Sequence, residues 1–175
     1  MEAIRFVVDI LLWLLMLAFM LRLLLQLVRA SFRDPLADAV VRVTNWLVLP
    51  LRRILPPIGK VDTATVVAVA VAGLVHAAAL ALLAGASLND APWILRATLV
   101  SLLDMVLRIY LFALLLYGLA GFIGSDSHAP GMRLVGQLCE PVLKRVRRLI
   151  PPIGKVDFSV LWASIAIGAL LVIVR

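Results

Sequence analysis

Cysteine is almost absent from this chain. Cys139 stands alone, which excludes an internal disulfide, and nothing pairs with it at metal-ligand spacing, so it reads as a small apolar filler. Histidine is nearly as scarce: His76 and His128 are separated by a membrane span and a loop, no serine occupies a nucleophile elbow, and there is no glycine-rich phosphate loop. The constellations an enzyme needs are missing, so a non-enzymatic protein without cofactor or metal site is expected. His76, among small residues, reads as a hydrogen-bond partner for a neighbouring helix. Charge is the third shortage. Only 15% of the 175 residues are charged, against 64% apolar and a mean hydropathy of +1.11, whereas soluble domains are roughly 45–50% apolar. That excludes a soluble domain and leaves an integral membrane protein. The net charge of +7 lies in two short loops beside apolar runs, without aromatic interleaving. Anionic lipid head groups are therefore the expected partner, not nucleic acid.

What the chain does have is a duplication. The stretch Leu51 to Asp62 (LRRILPPIGKVD) recurs as Val146 to Asp157 (VRRLIPPIGKVD), with nine of twelve positions identical at an offset of 95. The same offset aligns Asp9 with Asp104, Pro35 with Pro130 and Gly73 with Gly168. Two copies of one unit are expected, over 1–86 and 94–175.

Ile4 to Val28 is a run of 25 mostly apolar residues, about 37 Å as a helix, enough to span a hydrocarbon core of roughly 30 Å with tilt. It is too long for a signal peptide and lacks a small-residue cleavage site. Arg22 and Gln26 near its end are expected to snorkel to the interface. Asp34-Pro35 then breaks the helix, and about 36–54 separates polar from apolar residues at helical spacing, as does about 131–149 in the second copy. Both segments are expected to lie in the interface. In the repeated motif, Arg52, Arg53, Arg147 and Arg148 place cations at helix C-termini, while Pro56-Pro57 and Pro151-Pro152 stop the helix. Gly59 and Gly154 permit a turn, Lys60 and Lys155 keep it at the head groups, and Asp62 and Asp157 cap the next helix. The Arg and Asp of the motif are further expected to pair, within a copy or between copies.

The remaining spans are about 63–86, 94–122 and 158–174. Gly73, Ala77, Ala81 and Gly85 recur every four residues and form a close-packing face, with Ser164 and Gly168 as a shorter version. Asp104 and Arg108 lie four apart and can pair on one helical face; Asp9 has Arg5 as the corresponding partner, and an ion path through Asp9 and Asp104 is the alternative reading. Asp9, Arg22, Asp104 and Arg108 are the intramembrane charges. The expected architecture is all-α, with four transmembrane helices as two tandem repeats, each carrying an interfacial amphipathic helix. Basic residues concentrate between spans one and two and between spans three and four, so those segments are expected in the cytoplasm and the termini outside. Each repeat has an even number of spans, so a pseudo-two-fold axis along the membrane normal is expected to relate the copies.

The doubled RRxxPPIGxxD motif, with Arg22, Gln26, Asp34-Pro35 and Thr44-Asn45 upstream, resembles the YggT family, which includes the YlmG proteins. The chain departs from the family pattern in having Trp46 where proline is usual in the first copy, while keeping Pro141 in the second. It keeps Pro50 but has Arg145 at the matching position, and has Asp34 where Asn is usual. The resemblance implies a bacterial inner-membrane protein linked to osmotic and potassium homeostasis, cell division and envelope organisation, or, in plastids, haem attachment during cytochrome assembly. Two functional classes follow: a scaffold or assembly factor, and a channel-like component that would need oligomerisation to form a pore. Other membrane proteins and further copies of the chain are the protein partners considered.

Overall fold

Backbone in lipid must satisfy its own hydrogen bonds, so long apolar runs become helices. The computed structural model describes residues 2–30, 34–57, 61–85, 91–123, 131–149 and 158–174, and every element in them is an α-helix. These are α1 (Glu2–Leu27), α2 (Pro35–Ile54), α3 (Thr63–Leu83), α4 (Ala91–Ile123), α5 (Met132–Leu149) and α6 (Phe158–Val174). Among the described residues three stretches are long and apolar enough to cross a membrane: Glu2–Leu27, Thr63–Leu83 and Pro92–Gly121. α6 is equally apolar but has 17 residues, about 25 Å of helix.

The helix ends follow from local chemistry. Beyond Leu27 the Arg29 amide donates to the Gln26 carbonyl and the Ala30 amide to that of Leu25, a Schellman closure in which Arg29 takes the left-handed conformation (φ 55°) usually given to glycine. Ala30 packs beside Leu25, which anchors the turn. α2 begins with Asp34 as N-cap, its Oδ1 accepting from the Leu36 amide at 3.1 Å, and Pro35 in the first turn. Both α2 and α5 continue through an internal proline, Pro50 and Pro141, each on an exposed side of its helix.

One apolar core holds the bundle. Met16 and Phe19 of α1, Val48 of α2, Met105 and Leu114 of α4, and Leu143 of α5 are all fully buried within it. Thus α2 and α5 press into the bundle as well as flanking it. Val48 and Leu143 are 95 apart and occupy matching core positions, as do Thr44 and Cys139. The two amphipathic helices differ on their outer sides. α2 buries Ala37, Thr44 and Val48 but leaves Leu36, Val43, Trp46 and Ile54 bare, whereas none of the large apolar residues of α5 whose burial is described is among the exposed ones.

Within each half the first and third helices pack together and the amphipathic helix lies against both: α1 with α3 under α2, and α4 with α6 under α5. The halves meet chiefly through α3 and α4. A two-fold axis would also bring α6 against α1, and among the described residues no comparable contact joins them. The expected two-fold arrangement is therefore replaced by a row, α1–α3–α4–α6. Gly73 explains why α4 sits so close to α3: a Cβ there would lie 2.9 Å from Leu102 Cδ2 and 3.2 Å from Thr98 Cγ2. Ala77 and Ala81 are buried on the same helix, but Gly85 lies past its end, exposed, with φ +76° and open space around it, so it serves the turn and not the packing face. Gly168 likewise meets nothing within 4 Å, and Ser164 bonds its own helix through the Val160 carbonyl at 2.8 Å.

Candidate functional site

Arginine in the middle of a leucine run must either reach water or find partners. Arg22 finds partners. It is 2% exposed, and its Nη1 donates to Thr44 Oγ1 at 2.7 Å, to Asn45 Oδ1 at 2.9 Å and to the Val41 carbonyl at 3.3 Å. The snorkelling expected of it does not occur, because α2 crosses the C-terminal part of α1 and brings acceptors to the guanidinium. Thr44 can serve because its own hydroxyl donates back to the Val40 carbonyl at 2.7 Å, which turns its lone pairs towards Arg22.

One turn further along α1, Gln26 faces the start of α3. Its Nε2 lies 3.4 Å from Asp62 Oδ2, and the same carboxylate oxygen accepts from Arg52 Nε at 2.9 Å and from Thr65 Oγ1 at 2.8 Å. The motif's Arg and Asp therefore pair within the first copy. Asp62 stands at the N-cap position of α3, yet its side chain bonds no backbone amide there; its Oδ2 is turned to these side-chain donors instead. Burial pushes the Asp62 carboxyl up, but the Arg52 and Thr65 hydrogen bonds, the Arg52 charge and the Gln26 bond outweigh it, leaving the group below the usual carboxylate range. Arg22 Nε, Gln26 Oε1 and Asp62 Oδ1 are buried without a protein partner. One polar cluster thus joins α1, α2 and α3.

Other charges are also committed. Asp9 does not pair with Arg5 as expected; its Oδ1 accepts from His76 Nε2 at 2.8 Å, which ties α1 to α3. Asp104 and Arg108 pair along α4, with Nη2 donating to Oδ1 at 3.0 Å. Arg147 Nη1 lies 3.6 Å from Glu140, so in each double-arginine element the first residue faces an acid, while Arg53 and Arg148 are exposed. Asp34 links the halves: besides capping α2, its Oδ2 accepts from the Gly131 amide at 2.9 Å. An asparagine has one acceptor oxygen where this carboxylate uses two, which gives a physical reason for Asp34 here.

The cluster belongs to the first half. At an offset of 95, Arg22, Gln26, Thr44 and Asn45 correspond to Tyr117, Gly121, Cys139 and Glu140, which cannot reproduce it. Cys139 is fully buried, and its thiol is pushed up to about 12 by desolvation. Gly59, Lys60, Pro151, Pro152, Gly154, Lys155 and Asp157 lie outside the described residues. Among the described residues no three His, Cys, Asp or Glu side chains are placed to hold a metal ion. A groove of about 800 Å³ opens between α1, α4 and α5, lined by Leu27, Tyr110, Glu140 and Arg145 among others, but no cluster residue lines it. His76 bonds a neighbouring helix as its setting among small residues implies, but neither Asp9 as its partner nor Thr65 in the cluster was legible from the sequence. The signal for the cluster was the spacing of Arg22 and Gln26, four apart and hence on one face of α1.

Comparison with known proteins bears on the same residues. The sequence profile of the CCB3/YggT family matches residues 1–83 and 96–175. The chain belongs to the CCB3/YggT family. An uncharacterized protein of Pseudomonas aeruginosa is 33% identical over 149 residues, 85% of this chain and 76% of the relative. One from Vibrio alginolyticus is 32% identical over 162 residues, 92% and 87% of the respective chains. The uncharacterized protein YggT of Escherichia coli is 28% identical over 159 residues, 91% and 82%. No solved structure matches the chain. In this CCB3/YggT chain the unmatched stretch, 84–95, falls between the end of α3 and the first turns of α4.

Proposed function

We propose that the protein is a non-enzymatic scaffold or assembly factor of the bacterial inner membrane, spanning it four times as two tandem copies with the termini outside. The observation that carries this reading is the commitment of the charges described inside the bundle to protein partners: Arg22 to Thr44 and Asn45, Asp9 to His76, Asp104 to Arg108. The first two fix helices against one another, the third closes within α4, and together they offer no row of open ligands for an ion. The break in the family match between α3 and α4 and the matching core positions Val48 and Leu143 favour two tandem units, with α6 as the fourth span. α2 rests at the interface with its bare apolar strip towards lipid, and the exposed Arg53 and Arg148 meet anionic head groups at about 1 kcal/mol per charge. Scaffolding of cell division or of a membrane complex is the role in view.

The competing role is transport in osmotic or potassium homeostasis, and ion flux separates the two. Liposomes holding the purified protein should pass potassium and protons no faster than empty ones; flux well above that background would replace the scaffold with a transporter. The topology has its own test. A reporter active only in the periplasm should work when fused after Arg175 or within residues 87–93, and fail within 127–136. The reverse pattern would overturn the orientation.

A further inference from the structure

The row of helices has two unequal ends. Both third helices bury one equivalent strip in their own half: Ala64, Ala68 and Ala72 on α3, and Ser159, Ala163 and Ile167 on α6. α3 also buries a second strip, Val69, Gly73 and Ala77, and Gly73 of this strip is where Leu102 and Thr98 of α4 approach. The same strip on α6, offset by 95, is Ser164, Gly168 and Val172. It is open: Gly168 meets nothing within 4 Å and Val172 is 77% exposed.

The other end of the row mirrors this. α4 buries Thr98, Met105 and Ile109, and carries Leu102, on the side that includes its contact with α3. At the matching positions α1 has Ala3, Ile10, Leu14 and Val7, all exposed, with Val7 at 53%. So the chain carries both halves of the α3–α4 contact a second time, at opposite ends, and the row keeps them apart.

We propose that the protein self-associates head to tail in the membrane, α6 of one copy receiving α1 of the next around Gly168, so that the α3–α4 contact within a chain is repeated between chains. Val7 and Ala3 of the next copy take the places of Leu102 and Thr98. The helix directions agree: α3 and α4 are consecutive and antiparallel across the membrane, and α6 and α1 of a second copy in the same orientation are antiparallel too. In lipid there is no hydrophobic drive between helices, and association depends on close packing at small residues. Gly168 supplies that, and Ser164 is already satisfied by its own helix and leaves no polar group to bury unpaired. Such a contact is heterologous, so it closes into a ring or extends as an array and does not stop at a two-fold dimer.

This inference rests on α6 being a span, which the reporter after Arg175 tests separately. The experiment is oxidative cross-linking in native membranes, in a Cys139→Ser background carrying Val7→Cys and Gly168→Cys. Both positions on one chain should give a ladder of multimers. Co-expressed single variants should stop at dimers, and either variant alone, or Leu95→Cys with Gly168→Cys, should give at least tenfold less product. A second variant guards against misfolding. Gly168→Leu adds atoms where the protomer has open space, so its melting temperature in detergent should match the parent's, while resonance energy transfer between labelled copies in liposomes falls to background. Absence of the ladder with intact transfer in Gly168→Leu would overturn the proposal. So would efficient cross-linking of Val7→Cys to itself, which would place α1 against α1.

Discussion

Asp62→Asn isolates the charge of the polar cluster from its shape. Asp62 Oδ2 accepts from Arg52, Thr65 and Gln26, while Oδ1 has no protein partner. An asparagine can keep its oxygen towards the donors and turn its amide to the Oδ1 side, so the bonds survive and the negative charge is lost. The carboxylate is 10% exposed but the Arg52 side chain is 44% exposed. A hydrogen bond to a charged group contributes about 1.5–3 kcal/mol, and solvent at the Arg52 end discounts this towards ~1 kcal/mol. A double-mutant cycle of Asp62→Asn with Arg52→Gln should therefore show a coupling of about 1 kcal/mol, or about 2–4 °C in melting temperature for a chain of this size. The same cycle with Arg147→Gln should be additive within about 0.3 kcal/mol, because Arg147 faces Glu140 and not Asp62. Thermal unfolding in detergent, read by a thiol-reactive dye on the buried Cys139, supplies the numbers. The depressed Asp62 carboxyl adds a pH arm. Its stabilisation is present above the unfolded value of about 4 and is lost as the pH falls through the lower folded one, so wild type and Asp62→Asn should converge in acid. Additivity with Arg52→Gln, or coupling to Arg147→Gln instead, would refute the pairing within the first copy.

Cys139 should resist maleimide at pH 8 until the protein melts, since its thiol is buried and ionises only near 12; prompt labelling of folded protein by mass spectrometry would contradict the packing of α5. Gly73→Ala should destabilise by about 1 kcal/mol, because the added Cβ forces Leu102 and Thr98 back. Gly168→Ala in the solubilised monomer should be neutral or stabilise by up to about 1 kcal/mol, and equal effects at the two glycines in the same melts would remove the distinction between the two faces. Asp34→Asn should keep the α2 cap and lose the Gly131 bond, at about 1–2 kcal/mol for a group that is 3% exposed; no loss would mean that the link between the halves is carried elsewhere.

Hydropathy determined where the long apolar helices form, because a long apolar run in lipid has no other way to satisfy its backbone, and the helical spacing of polar and apolar residues determined α2 and α5. The six helices lie within a few residues of the expected spans, and Asp34-Pro35 is legible as a cap because its chemistry is local. The Asp104–Arg108 pair is legible for the same reason, its spacing being that of a single helix face. The burial of Arg22 was not, since it depends on where α2 crosses α1, and His76 reaches Asp9 across 67 residues of chain. Nor could the repeat alone say how its copies are related. Internal sequence symmetry requires that the two halves fold alike, but a two-fold pair and a head-to-tail row both satisfy that. Close packing at Gly73 against Leu102 and Thr98, with nothing within 4 Å of the matching Gly168, decided for the row, and it did so with tertiary contacts that no pattern within one helix specifies.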